Sequence, residues 1–257
     1  MFRRILLLAG NTFREAVRNK IFYTLLFFAI LLAGFSVSLS TMIIGSYTRV
    51  IIDMGLAIIE IFGTLIAIFV GITLVHKEID KRTVHAILAR PIHRYEFVFG
   101  KFIGLWLTLF VEVFLMTLVL GGIVAIFGEA AEIPWMLKGI CMILVQLSLI
   151  TSVAVLFSSV STPILSGMFT IGFYLIGAIS SYLPYLVDKD TPPWLADFIT
   201  YIGYILPNFD ILNYKGAVIH HAEMGFTSYF YSTVYGLSYT LIILTFAVAG
   251  FKYRDLK

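Results

Sequence analysis

The chain is 257 residues long, 60% hydrophobic and only 13% charged, with a formal net charge of +3 and a mean hydropathy of +0.97. A water-soluble domain of this length needs far more polar surface, so the composition excludes one. The single cysteine, Cys141, excludes an intrachain disulfide.

Phe2, Ile5, Leu6, Ala9, Phe13, Ala16 and Val17 recur at three-to-four spacing, with Arg14, Glu15 and Arg18 on another face. That pattern predicts an amphipathic helix lying in the membrane interface. Its apolar stretch is short and is followed by charge, so an uncleaved chain is expected rather than a signal peptide cut after Ser38 or Ser40.

Six apolar runs follow, at about 21–42, 51–75, 102–127, 137–160, 164–187 and 229–251. Each has the roughly 20 residues that, at about 1.5 Å per residue, cross a hydrocarbon core of about 30 Å. They are apolar all round and lack the two-residue alternation of a barrel strand, so the fold class is an all-α membrane protein with six transmembrane helices. No extramembrane segment is large enough for a second domain, and residues 1–257 read as one unit.

Lysine and arginine set the orientation. With the loop before the third span in the cytoplasm, fourteen of the eighteen fall inside, leaving Arg49, Lys138, Lys189 and Lys215 outside. The positive-inside rule then puts both termini in the cytoplasm. The basic rim suits anionic lipid, and nothing points to nucleic acid.

Three acidic residues lie within spans. Asp53 has Arg49 four residues earlier as a partner, but Glu60 and Glu112 have no such neighbour. Counted from the cytoplasmic helix ends, Glu112 lies roughly 16 Å deep and Glu60 roughly 24 Å, too far apart in height for a carboxylate dyad. Such carboxyls are protonated, hydrogen-bonded or open to a wet cavity. Both are candidates for a translocation path, against packed carboxyls that specify helix association.

The pairs Gly100/Gly104, Ala29/Ala33, Ser148/Ser152 and Gly177/Ser181 offer close helix contacts, within one chain or between two. The external segment 188–228 is cut by Pro192, Pro193 and Pro207 into two short helices, 194–206 and 208–221. Trp194, Tyr201, Tyr204 and Tyr214 suit the headgroup level, so these helices are expected on or in the outer leaflet, as a gate or a lid.

Chemical motifs are missing. There is no GxxxxGK[ST], so the chain cannot bind ATP through a P-loop of its own, and no GxSxG frames a nucleophile. No histidine stands in a metal-binding spacing; His220 and His221 are adjacent and point about 100° apart on a helix. No catalytic, cofactor or metal residue is expected.

The remaining feature is a charged island over 76–101 that holds a third of the lysine and arginine. Val84, Ile87 and Leu88 form a small apolar ridge flanked by Thr83, His85, Arg90, His93 and Arg94, and Pro91 ends the helix. A ridge ringed by cations can dock in a groove of a soluble partner or rest on anionic lipid.

These residues carry a resemblance. Glu78, Thr83, Leu88, Arg90, Pro91, Ile92, Arg94, Gly100 and Lys101 are similar to the run of glutamate, Gly-Thr, leucines, Pro-Ile-Ser-Arg and Gly-Lys in ABC-2-type permease subunits of ATP-binding-cassette transporters. Arg82 and His93 depart from it, where glycine and serine are usual. The C-terminal FKYRDLK also resembles the family's ending, and within the family the chain resembles the group that includes the permeases of multicopper-enzyme and nitrous-oxide-reductase maturation.

The resemblance implies a prokaryotic cytoplasmic-membrane exporter of two permeases, identical or not, and two ATPase subunits that bind the ATP and magnesium. It makes the N-terminal helix an elbow helix and the 83–94 helix a coupling helix, with Glu78, Thr83, Val84, Ile87, Leu88, Arg90, Pro91, His93 and Arg94 meeting the ATPase. The first and fifth spans would meet the second permease. A secondary transporter or channel using Glu60 and Glu112, and a non-transporting assembly factor, are the alternatives.

Overall fold

The computed structural model describes residues 2–40, 47–80, 93–182, 192–222 and 225–253. Among them the chain is helical, with no strand. The helices are α1 (Phe2–Val17), α2 (Lys20–Ser40), α3 (Tyr47–Asp80), α4 (Arg94–Ile126), α5 (Ile133–Val160), α6 (Pro163–Ile179), α7 (Pro193–Ile205), α8 (Lys215–Ile219) and α9 (Phe226–Tyr253). Six of them, α2 to α6 and α9, are long and apolar enough to cross a membrane, so this is a multi-pass membrane protein. Proline opens several helices, where its missing N–H costs nothing: Pro134 in the first turn of α5, Pro163 in α6 and Pro193 in α7.

The two central helices are α3 and α5, the most buried of the six, while α2 and α6 are the most exposed. Packing follows small residues, as expected where lipid removes the hydrophobic drive between helices and close backbone approach must replace it. A Cβ on Gly63 of α3 would lie 2.6 Å from Leu147 of α5, and one on Gly236 of α9 would lie 2.5 Å from Val145. Large apolar side chains such as Phe27, Phe28 and Phe35 of α2, or Ile164, Met168 and Phe169 of α6, stay exposed. In a bilayer such a surface faces acyl chains or another protein rather than water.

The helix α1 clasps the start of α4. Leu8 and Thr12 sit against Gly100 and Gly104, so that a Cβ on Gly104 would come 2.5 Å from Thr12 Cβ and 2.6 Å from the Ala9 carbonyl. The GxxxG is therefore used within the chain. Leu6 and Leu7 remain exposed on α1, which suits a helix resting on lipid. Glu96 is buried at the joint; its Oε2 accepts the His93 N–H at 3.0 Å and stands 4.0 Å from Arg4 of α1.

Each predicted span overlaps one helix, though α4 begins at Arg94 rather than about 102 and α6 ends at Ile179 rather than about 187; a further revision falls in the segment before α9. The predicted second helix, 208–221, is divided into a 3-10 turn at Phe209–Leu212 and the short α8. Asn208 Oδ1 accepts from the Asp210 N–H at 2.9 Å and caps the turn. Asn213 and Tyr214 then break the helix before α8. Asparagine competes with the backbone for its own hydrogen bonds, which helical periodicity does not register.

Candidate functional site

The segment 207–219 does not lie flat across the helix ends. Phe209, Leu212 and Val218 are each at most 3% exposed, because the segment is inserted among α3, α5, α6 and α9. Phe209 fills the space over Gly177 of α6, where a Cβ would lie 2.6 Å from its ring and 3.0 Å from the Pro207 carbonyl. Val218 sits over Gly139 of α5, beside Leu56 of α3. Tyr235 of α9 accepts the Asn208 N–H at 2.8 Å, and Tyr214 pairs with Ser232 at 3.0 Å. Apolar anchors and hydrogen bonds together hold the segment as a plug.

Under this plug lies a polar cluster centred on Glu60 of α3. One carboxylate oxygen accepts from Gln146 Nε2 of α5 at 2.8 Å. The other takes the ammonium of Lys215, at the start of α8. The Tyr174 hydroxyl of α6 lies near Glu60 and near Thr64, one turn further along α3. Its ring tilts against Phe209 at 5.6 Å, which joins the plug's apolar anchor to the polar cluster. Four elements thus converge on one carboxylate.

Helical spacing offers Glu60 no partner; the ion pair with Lys215, a cation of the segment before α9, corrects that expectation. Glu60 and Lys215 are 155 residues apart in sequence, beyond the reach of any helical-neighbour rule. Glu60 also stands 13 residues past the start of α3, about 20 Å along the helix, so the 207–219 segment delivers its lysine deep between the helices. The Arg49–Asp53 pairing expected at the start of α3 is not formed; both side chains are exposed, and no ion pair joins them among the described residues.

Glu112 of α4 is completely buried, and neither of its oxygens has a hydrogen-bond partner among the described residues. The contacts of Gly55 with Leu120 and of Gly71 with Leu105 fix the antiparallel register of α3 and α4. By that register Glu112 is level with about Gly63, roughly 5 Å along the axis from Glu60. The two acids are closer in height than the count from the helix ends suggests, yet they form no hydrogen bond to each other.

Both termini of the helical set, and both ends of the charged island, lie at the end of the bundle away from the plug. Of the expected ATPase-contact residues, Thr83, Val84, Ile87, Leu88, Arg90 and Pro91 lie outside the described residues; Glu78 falls in the last turns of α3. His93 is exposed and stacks on Tyr95 at 5.4 Å. Arg94 is turned inward: its Nη1 donates to the Phe251 carbonyl at 2.6 Å. Lys101, a rim cation by its place in the sequence, is only 1% exposed and lies over the Phe97 ring at 5.9 Å. Nearby, Asn11, Arg14, Glu15, Arg18, Asn19, Thr73 and Leu74 line a polar groove of about 910 Å³ between α1 and α3.

At the plug end, His221 spends its ring within the chain. Its Nε2 meets Glu132 at 2.9 Å, and it tilts against Trp135 at 5.1 Å.

The described residues thus form a bundle of six helices able to span a membrane, with a clasping amphipathic helix at one end and an inserted segment at the other. The family model described as ABC-2 family transporter protein matches residues 6–256, and the chain belongs to that family. No curated protein shows significant similarity to it.

Proposed function

We propose that this chain is the permease subunit of an ABC exporter in a prokaryotic cytoplasmic membrane, driven by separate ATPase subunits. The observation that carries this reading is the family match across 6–256, which covers all six spans and the island between α3 and α4. Family membership supports an ABC ATPase partner, and as no P-loop occurs in this sequence, ATP and magnesium would be bound by that partner.

With the basic end of the bundle in the cytoplasm, the 83–94 segment would receive the ATPase stroke and pass it to α3 and α4. The exposed apolar faces of α2 and α6 suit a second permease subunit, giving a transporter of two permeases and two ATPases. Within the family, the resemblance of the sequence to the multicopper-enzyme maturation permeases supports a place in that group. Glu60 and Glu112 would lie on the path of the substrate, beneath the plug.

Co-purification with the cognate ATPase, followed by reconstitution in vesicles, tests the reading. Hydrolysis is expected only in the assembled complex, with movement of substrate out of the inner leaflet. Ion-driven flux through the chain without any ATPase would overturn it.

A further inference from the structure

The Glu60 cluster holds one aliphatic ammonium ion, that of the chain's own Lys215. The carboxylate is held in place by Gln146 from one side and approached by the Tyr174 hydroxyl from another, leaving one oxygen free for a cation. That oxygen is taken by the chain's own Lys215, a compact point charge on a four-carbon stem. The lysine is not part of the spanning bundle: it arrives on α8, in the plug that any outward path must displace. Once the plug lifts, an ionised carboxylate deep among apolar helices has lost its main counter-charge, a state costing several kcal/mol unless another cation replaces it. Access is not sealed even here, since the Glu60 and Lys215 side chains keep 12% and 24% of their exposure.

We propose that Glu60, Gln146 and Tyr174 form a binding site for a primary ammonium group, filled in this conformation by Lys215, and that substrates bearing an aliphatic ammonium compete with Lys215 for it. The first half stands on the geometry of the cluster. The second rests on the reading of Glu60 as part of the transport path.

Two measurements separate these halves. The purified chain carrying Lys215→Ala is heated with and without n-propylammonium, with tetramethylammonium and propionate as controls. The variant is expected to unfold at lower temperature than the unchanged protein and to recover most of that shift with n-propylammonium alone. Recovery must vanish in Glu60→Gln/Lys215→Ala. A folded Lys215→Ala that does not respond to n-propylammonium, or responds equally without Glu60, overturns the site.

In the complex with its ATPase, a single-chain alkylamine is titrated as a stimulant of hydrolysis. Lys215→Met is expected to lower the half-maximal concentration about tenfold, the size of one charge-assisted hydrogen bond, and Glu60→Gln to remove the stimulation. Stimulation that ignores Glu60→Gln, or none at all, overturns the substrate half even if the stability response holds. This second measurement also decides the matter if Lys215→Ala does not fold.

Discussion

Arg94 and Phe251 join the first turn of α4 to the last turns of α9. The Arg94 guanidinium donates to the Phe251 carbonyl at 2.6 Å and lies 5.9 Å from the centroid of its ring, while Phe97 stacks on the same ring at 5.3 Å. The last four carbonyls of a helix lack intrahelical donors and carry the negative end of its dipole. Arg94 supplies both a donor and a positive charge there, so it caps α9 from another helix.

This contact divides two arginines that look equivalent in sequence. Arg94→Ala is expected to lower the stability of the chain by about 1.5–3 kcal/mol, the usual worth of a hydrogen bond to a charged group, seen as a lower unfolding temperature in detergent. Arg90→Glu is expected to leave the unfolding temperature unchanged and to reduce ATP hydrolysis coupled to transport in the assembled complex. If Arg90→Glu lowers stability as much as Arg94→Ala, the assignment of Arg90 to a partner surface fails.

The clasp of α1 on α4 depends on the missing side chain of Gly104, where an added Cβ would meet a backbone carbonyl at 2.6 Å. A carbonyl cannot rotate aside as a side-chain tip can, so Gly104→Ala is expected to push α1 off and cost about 1–3 kcal/mol. Gly122, further along α4, has open space where a Cβ would stand, with nothing within 4 Å, and Gly122→Ala should be neutral or stabilise by up to about 1 kcal/mol. Proteolysis within the N-terminal helix, accelerated in Gly104→Ala alone, would identify the displaced element.

The spans and the clasp are legible in the sequence because both are local patterns: long apolar runs, small residues four apart, and a three-to-four apolar stripe. Glu60 is legible as an anomaly, an acid where only apolar residues are expected. Its partners are not, because Gln146, Tyr174 and Lys215 reach it from three different helices, and only the insertion of 207–219 brings the lysine down. Nor is the inward turn of Lys101 and Arg94, since a charge run reads as a solvated face until the neighbouring helix end and aromatic rings are in view. The Gly177/Ser181 pair is visible as a helix contact, yet its occupant is a phenylalanine from the plug, with Ser181 bonded to Asp210.

That phenylalanine makes the plug separately testable. Gly177→Leu places bulk where the Phe209 ring lies and is expected to expel the turn at 209–212. Leu212, only 1% exposed, can report it as Leu212→Cys in a Cys141→Ser background. A membrane-impermeant maleimide should react slowly with this cysteine in the unchanged plug and at least about tenfold faster with Gly177→Leu, equivalent to roughly 1.4 kcal/mol in opening. Equal rates would mean that Phe209 does not anchor the segment.

Glu112 poses the opposite problem from Glu60: a carboxyl with no exposure and no hydrogen bond to either oxygen among the described residues. An unpaired buried polar group costs about 1–3 kcal/mol, and an apolar side chain of similar shape removes that cost. If Glu112 serves only the chain seen here, Glu112→Met stabilises it by about that amount, while Glu112→Gln, still polar and unpaired, changes stability by less than about 1 kcal/mol. Thermal unfolding of both variants checks this ordering. If Glu112 lies on the substrate path as proposed, hydrolysis-coupled export is expected to fall in Glu112→Met even as stability rises. A Glu112→Met chain that is both less stable and inactive would instead assign the carboxyl a structural partner in the assembled transporter.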